Sequence, residues 1–130
     1  MTDELEEYWM SQQALDQLAD VTELDSCYTF DGYQDFTDTT AIYPKNKALE
    51  YLAMGLTSEA GEVAGKIKKW VRDGYLDHDE VIAELGDVLW YVAQMASALD
   101  IYMSDIAEDN FAKLKSRQER NVLGGSGDNR

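Results

Sequence analysis

Glu59 and Glu62 stand three residues apart, as do Glu84 and Asp87, so on helices each pair projects from one face. Glu59 falls seven residues after Leu52, three after Leu56 and four before Val63, on a stripe that periodicity alone would bury. Glu84 has the same relation to Val81 and Val88. Four carboxylates brought together in a packed interface lose hydration and repel one another, a penalty that a divalent cation between them removes. Oxygen-only donors suit Mg²⁺ or Mn²⁺. A cation in such a place makes water nucleophilic at neutral pH and offsets phosphate charge, which is the chemistry of phosphoanhydride hydrolysis. The plainer alternative is that some of these acids lie on the surface, paired with Lys66, Lys69 or Arg72.

A triphosphate leaves oxygens for further cations to meet. Lys66 follows Glu62 by four residues, and Asn110, Lys113 and Arg117 share one helix face at i, i+3 and i+7. Together they form a candidate phosphate clamp, with an ordinary basic surface ladder as the alternative. Trp70, Trp90 and Tyr91 are candidates to stack on a base, or else core aromatics. The single histidine, His78, falls in an expected turn, and with one cysteine, Cys27, no zinc site of Cys and His ligands is expected. Neither a G-x-x-x-x-G-K nor a G-x-G-x-x-G run occurs, so a phosphate-binding glycine loop is not expected. Gly55, Gly61, Gly65 and Gly86 read instead as small-residue positions for close helix contact.

These residues need helices to position them. Thr29 or Asp31 caps a short helix over about 31–41, carrying Tyr33, Phe36, Thr37 and Thr40 before Pro44. Leu49, Leu52, Leu56, Val63, Ile67 and Trp70 recur at helical spacing over 47–72, and Gly74 is a plausible stop. Asp77 or Asp79 opens a third helix with Val81, Leu85, Val88, Val92, Ala96 and Leu99 on its apolar stripe. Ser104 is a serviceable cap for a last helix over about 105–120, with Ile106, Phe111 and Leu114 inward. No segment alternates with period two long enough for a strand. The expectation is an all-α four-helix half-bundle built on an antiparallel hairpin, whose broad stripes need a second subunit to complete the core.

Composition bounds the rest. The chain has 130 residues, 45% of them apolar, one proline and a net charge of −15. Eleven of the 26 acids precede the first basic residue, Lys45, so the charge is largely N-terminal. Residues 1–27 read as an acidic arm or short amphipathic helix, 28–120 as the catalytic body and 121–130 as a flexible glycine-rich tail. No apolar run is long enough to span a bilayer, and no leader pattern marks export, so a cytoplasmic protein is expected. Its acidity disfavours duplex DNA and anionic membranes as partners. An acidic interaction protein or DNA mimic acting through residues 1–38 is a competing function, and a nucleotide sensor without turnover is another.

The segment Glu59-Ala60-Gly61-Glu62, then Glu84-Leu85-Gly86-Asp87, then Asn110-x-x-Lys113-x-x-x-Arg117 resembles the MazG-like all-alpha nucleotide pyrophosphohydrolases, particularly the short single-domain forms of bacteriophages. The likeness runs from Tyr28 to about Arg120 and includes Tyr33-Gln34, Thr40-Ala41-x-Tyr43-Pro44 and Lys68-Lys69. It implies hydrolysis of a nucleoside triphosphate to the monophosphate and pyrophosphate, with Mg²⁺ or Mn²⁺ on Glu59, Glu62, Glu84 and Asp87 and phosphate contacts from Asn110, Lys113 and Arg117. It further implies dimers or dimers of dimers. The substrate it suggests is a purine deoxynucleotide such as dGTP, with dUTP or noncanonical nucleotides as alternatives. Ser58 departs from the pattern, because the family's motif usually opens with two adjacent glutamates. An outer-sphere or water-positioning carboxylate is therefore missing there.

Overall fold

The computed structural model describes residues 27–125; the helix expected within 1–25 and the end of the tail, 126–130, lie outside the described residues. Four α-helices and one 3₁₀ turn, Lys45–Lys47, make up the described body, which has no strand. Thr29 caps α1 (Phe30–Thr39), its Oγ1 accepting from the Gly32 amide at 3.0 Å. The chain then passes Pro44 and enters α2 (Ala48–Asp73), which runs unbroken to Gly74. Gly74 adopts φ +77°, and its N–H donates to the Trp70 carbonyl, the left-handed stop that glycine accepts without strain. Asp77 caps α3 (His78–Ala98) by accepting from the Asp79 and Glu80 amides. The turn between them folds α2 and α3 into an antiparallel hairpin, the most extensive helix pairing among the described residues.

The last helix, α4 (Met103–Glu119), begins two residues before the expected position, with Tyr102 at the cap. Ser104 is inside the helix, and its hydroxyl and amide donate to the Asp31 carboxylate at 2.7 and 2.9 Å. Gln34 supplies the remaining cap, its Oε1 accepting from the Met103 amide at 2.8 Å. The start of α4 is thus satisfied by side chains of α1, more than sixty residues earlier in the chain.

Behind that cap α1 lies on α3 through a buried polar seam. Gln94, 0% exposed, donates to Thr37 Oγ1 and Asp38 Oδ1 and accepts from the Tyr43 hydroxyl, all within 2.9 Å. Gln34 donates to Ser97 Oγ and to the Ile101 carbonyl. Both amides are therefore saturated, as burial demands. Ala93, Ala96 and Met103, with Tyr33 and Val92 against them, form the apolar cluster beside this seam, and Leu52 is buried on α2.

The wide apolar stripes have a different fate. Leu49, Met54, Ile67, Trp70 and Val71 on α2, and Ile82, Leu85 and Leu89 on α3, are exposed in the single chain. Ile106, Phe111 and Leu114, expected to point inward, are exposed as well, because α4 packs on α1 and α3 but does not approach α2. Glycine packing is corrected too. A Cβ on Gly61, Gly65 or Gly86 would meet nothing within 4 Å, so in one chain the close contact expected of all four glycines occurs only at Gly55. No helix among the described residues is long and apolar enough to cross a membrane.

Candidate metal centre

Glu59 stands near the middle of α2, and Glu84 and Asp87 occupy successive turns early in α3. Because the hairpin reverses the chain, these positions meet across the α2–α3 interface: one carboxylate oxygen from each of the three lies within 4.8 Å of the others. Glu59 and Glu84 are half-buried and Asp87 is exposed, so the cluster has one closed side and one open side. Loss of hydration pushes the Glu59 carboxyl above the ordinary glutamate range, and the charges of Glu62, Asp87 and Glu84 push it the same way. Glu62 is exposed and outside the three-oxygen group, though near enough for its charge to act on Glu59.

The donor set fits a hard divalent cation. Three carboxylate oxygens grouped within 4.8 Å of one another would be near enough to hold one such cation between them. Three carboxylates without nitrogen or sulfur ligands select against zinc. His78 is exposed at the first turn of α3.

Lys66 is the basic group in contact with this cluster. Its Nζ lies 2.9 Å from Glu80 Oε2 and 3.4 Å from Glu84 Oε1. The hydrogen bond to Glu80 is the main reason its ammonium is held above the usual lysine range. The alternative of acids paired with lysine therefore holds for Glu84, whereas Arg72 bonds its neighbour Asp73 instead. Asn110 and Lys113 are exposed on α4 and Arg117 is buried. Their helix has no contact with α2, so one chain does not join them to Glu59.

Tyrosines flank the carboxylates. Tyr91, one turn beyond Asp87, has its phenol held above the usual range by desolvation, then by Tyr51, with which it shares a hydrogen bond, and by the Glu59 and Asp87 charges. Tyr33 of α1 is raised by burial and by Asp87. Among the three aromatic candidates, Trp90 donates its indole N–H to Thr40 Oγ1 and lies edge-on to Tyr43 and Tyr91, as a packing residue does. Trp70 is eleven residues along α2 from Glu59, about 16 Å at the helical rise. Tyr91 alone of the three borders the acids. Tyr51 and Glu80 are not among the residues expected from sequence, and Tyr33 is expected only as part of the first helix and of the family likeness; Glu80 has a signal, standing four residues before Glu84, whereas the place of Tyr33 and Tyr51 beside the acids depends on tertiary contacts.

Residues 47–122 match the family described as the MazG nucleotide pyrophosphohydrolase domain. That span holds all four paired acids, Lys66 and the Asn110–Arg117 face, while α1 precedes it. The chain is also 48% identical over 111 residues to the Gene 37 protein of Mycobacterium phage L5, an alignment that covers 77% of this chain and 97% of that protein. No solved structure matches the chain.

Proposed function

The chain belongs to the MazG nucleotide pyrophosphohydrolase family, and from that premise we propose that it hydrolyses a nucleoside triphosphate to the monophosphate and pyrophosphate with Mg²⁺ or Mn²⁺. The observation that carries this reading is the convergence of Glu59, Glu84 and Asp87 from two helices. These three residues hold the cation, and Glu62 joins them when its side chain turns inward. When bound, the cation supplies an acidified water and screens the phosphate charges. Lys66, already beside Glu84, moves between its carboxylate partners and a phosphate oxygen. Asn110, Lys113 and Arg117 hold the remaining phosphates. Tyr33 and Tyr91 limit water on the closed side of the cluster.

The working unit in this reading is a homo-oligomer, a dimer or a dimer of dimers. The exposed apolar residues of α2, α3 and α4 support it, because a second copy would take them out of water. A second copy also offers a route for the α4 basic face to reach an acid cluster that its own α2 does not meet. The substrate is a free nucleotide in the cytoplasm, that of the host if a phage encodes the protein, and neither a nucleic-acid polymer nor a membrane.

A screen of standard and modified nucleoside triphosphates with Mg²⁺ or Mn²⁺, resolving pyrophosphate from orthophosphate, tests the reaction. Equal yields of monophosphate and pyrophosphate are expected, and the preferred base follows from the same screen, with dGTP, dUTP and noncanonical nucleotides as the informative arms. Orthophosphate as the product would contradict the reading. Tight nucleotide binding without turnover would favour the sensor, for which Ser58 in place of an acid is the motivating observation.

A further inference from the structure

The α2–α3 hairpin has one contact that admits no side chain at all. An ideal Cβ on Gly55 would lie 2.8 Å from Tyr91 Cδ1 and closer still to Cε1 and Cζ, inside the ring's own van der Waals envelope. Gly55 is one turn before Glu59 on α2, and Tyr91 is one turn beyond Asp87 on α3. In an antiparallel pair these are adjacent rungs: ring on glycine backbone, then carboxylate facing carboxylate. The ring is held from a second direction too, by Trp90, which meets it edge-on with centroids 5.0 Å apart.

We propose that the Tyr91 ring, seated on the Gly55 backbone, is the spacer that fixes how far Glu59 stands from Glu84 and Asp87, making Gly55 and Tyr91 positioning residues for the divalent cation. The inference rests on the metal reading given above. Its physical basis is that an added methyl at Gly55 must displace the Tyr91 ring or, because Trp90 packs against that ring, push α2 away from α3. Mg²⁺ and Mn²⁺ take oxygen ligands at short distances, and Mg²⁺ in particular demands near-octahedral geometry, whereas Ca²⁺ accepts longer and less regular ligation. A displacement of α2 therefore penalises the small cations more than Ca²⁺. A purely structural contact would instead change global stability and leave the ratio of cation affinities alone.

The test is titration of the full chain with Mn²⁺ alone and with Ca²⁺ alone, followed by calorimetry, with thermal unfolding in EDTA on the same samples. Gly55→Ala is expected to weaken Mn²⁺ binding by about tenfold or more, the scale of residues that orient ligands, and to weaken Ca²⁺ by less. Adding Tyr91→Leu to Gly55→Ala, which makes room for the methyl, is expected to restore much of the Mn²⁺ affinity. Tyr91→Leu alone keeps the glycine and adds no atom to α2, so it serves if Gly55→Ala does not fold; it is expected to weaken Mn²⁺ by roughly tenfold, the lower end of the range for residues that orient ligands. Unchanged Mn²⁺ affinity in Gly55→Ala, or in Tyr91→Leu alone, overturns the spacer, as does a double variant no better than Gly55→Ala. Failure of the unsubstituted protein to bind either cation overturns the metal reading itself, and the spacer with it.

Discussion

The two faces of α3 are built on opposite terms. Toward α1 and α4 it presents Gln94 and Ser97 to partners that saturate hydrogen bonds, with Ala93 and Ala96 filling the space between. Toward α2, at its other end, it presents Glu84 and Asp87 to a third carboxylate and leaves Ile82, Leu85 and Leu89 exposed. The first face is complete within one chain. The second sets three carboxylates against Lys66 and leaves apolar surface uncovered, a combination that the proposed cation and second copy would relieve. In the proposed reading stability and function are segregated along one helix, with the seam fixing α1 and α4 and the hairpin end binding the cation.

The largest effect that would break this contrast is on the acid side. Asp87→Asn and Glu59→Gln are each expected to lower pyrophosphate release by at least about a hundredfold, since each removes a charged ligand of the proposed cation, while far-UV dichroism stays helical. Retention of full activity in both would remove the functional side of the contrast. On the seam side, Gln94→Leu leaves the Tyr43 hydroxyl and Thr37 without their buried partner, and urea unfolding is expected to show a loss of about 3 kcal/mol.

A subtler difference concerns pH. The Glu59 carboxyl is raised in the folded protein, so between its ordinary and its folded range the native state binds the additional proton. Stability of the metal-free protein is therefore fully favoured at the acid side of that window and falls as pH rises through the folded value. Thermal unfolding in EDTA from the ordinary glutamate range upward is expected to show this decline, and Glu59→Gln is expected to flatten it. At the small end, Arg72→Ala removes an exposed bond to an adjacent residue and is expected to leave both the unfolding midpoint and metal binding unchanged.

Much of the hairpin was legible in the sequence because its determinants are local. Gly74 and Asp77 mark the turn by their own preferences, and the chain reversal brings Glu59 to Glu84 and Asp87, with Glu62 left outside the group. The start of α4 differs from the expectation because much of its cap is not local: beside the Asp105 carboxylate, which accepts from the Tyr102 amide, Asp31 and Gln34 satisfy it from another helix, and Ser104 is drawn into that contact instead of capping its own. Ile106, Phe111 and Leu114 carried the right periodicity, but periodicity says which face is apolar and not whether the same chain covers it. The four glycines looked equivalent by composition, and only the opposing ring at Tyr91 distinguishes Gly55. The spacing of Lys66 to Glu62 does not show that its ammonium lies beside Glu80 and Glu84, which depends on the hairpin.

Thermal unfolding of the intact protein at neutral pH, in EDTA and then in millimolar Mn²⁺, beside Glu59→Gln under both conditions, tests the central claim most directly. The expected result is a clear rise in midpoint with Mn²⁺ for the unsubstituted protein, a higher metal-free midpoint for Glu59→Gln, and a much smaller response of that variant to Mn²⁺. Equal midpoints with and without Mn²⁺, or an undiminished response in Glu59→Gln, would contradict it.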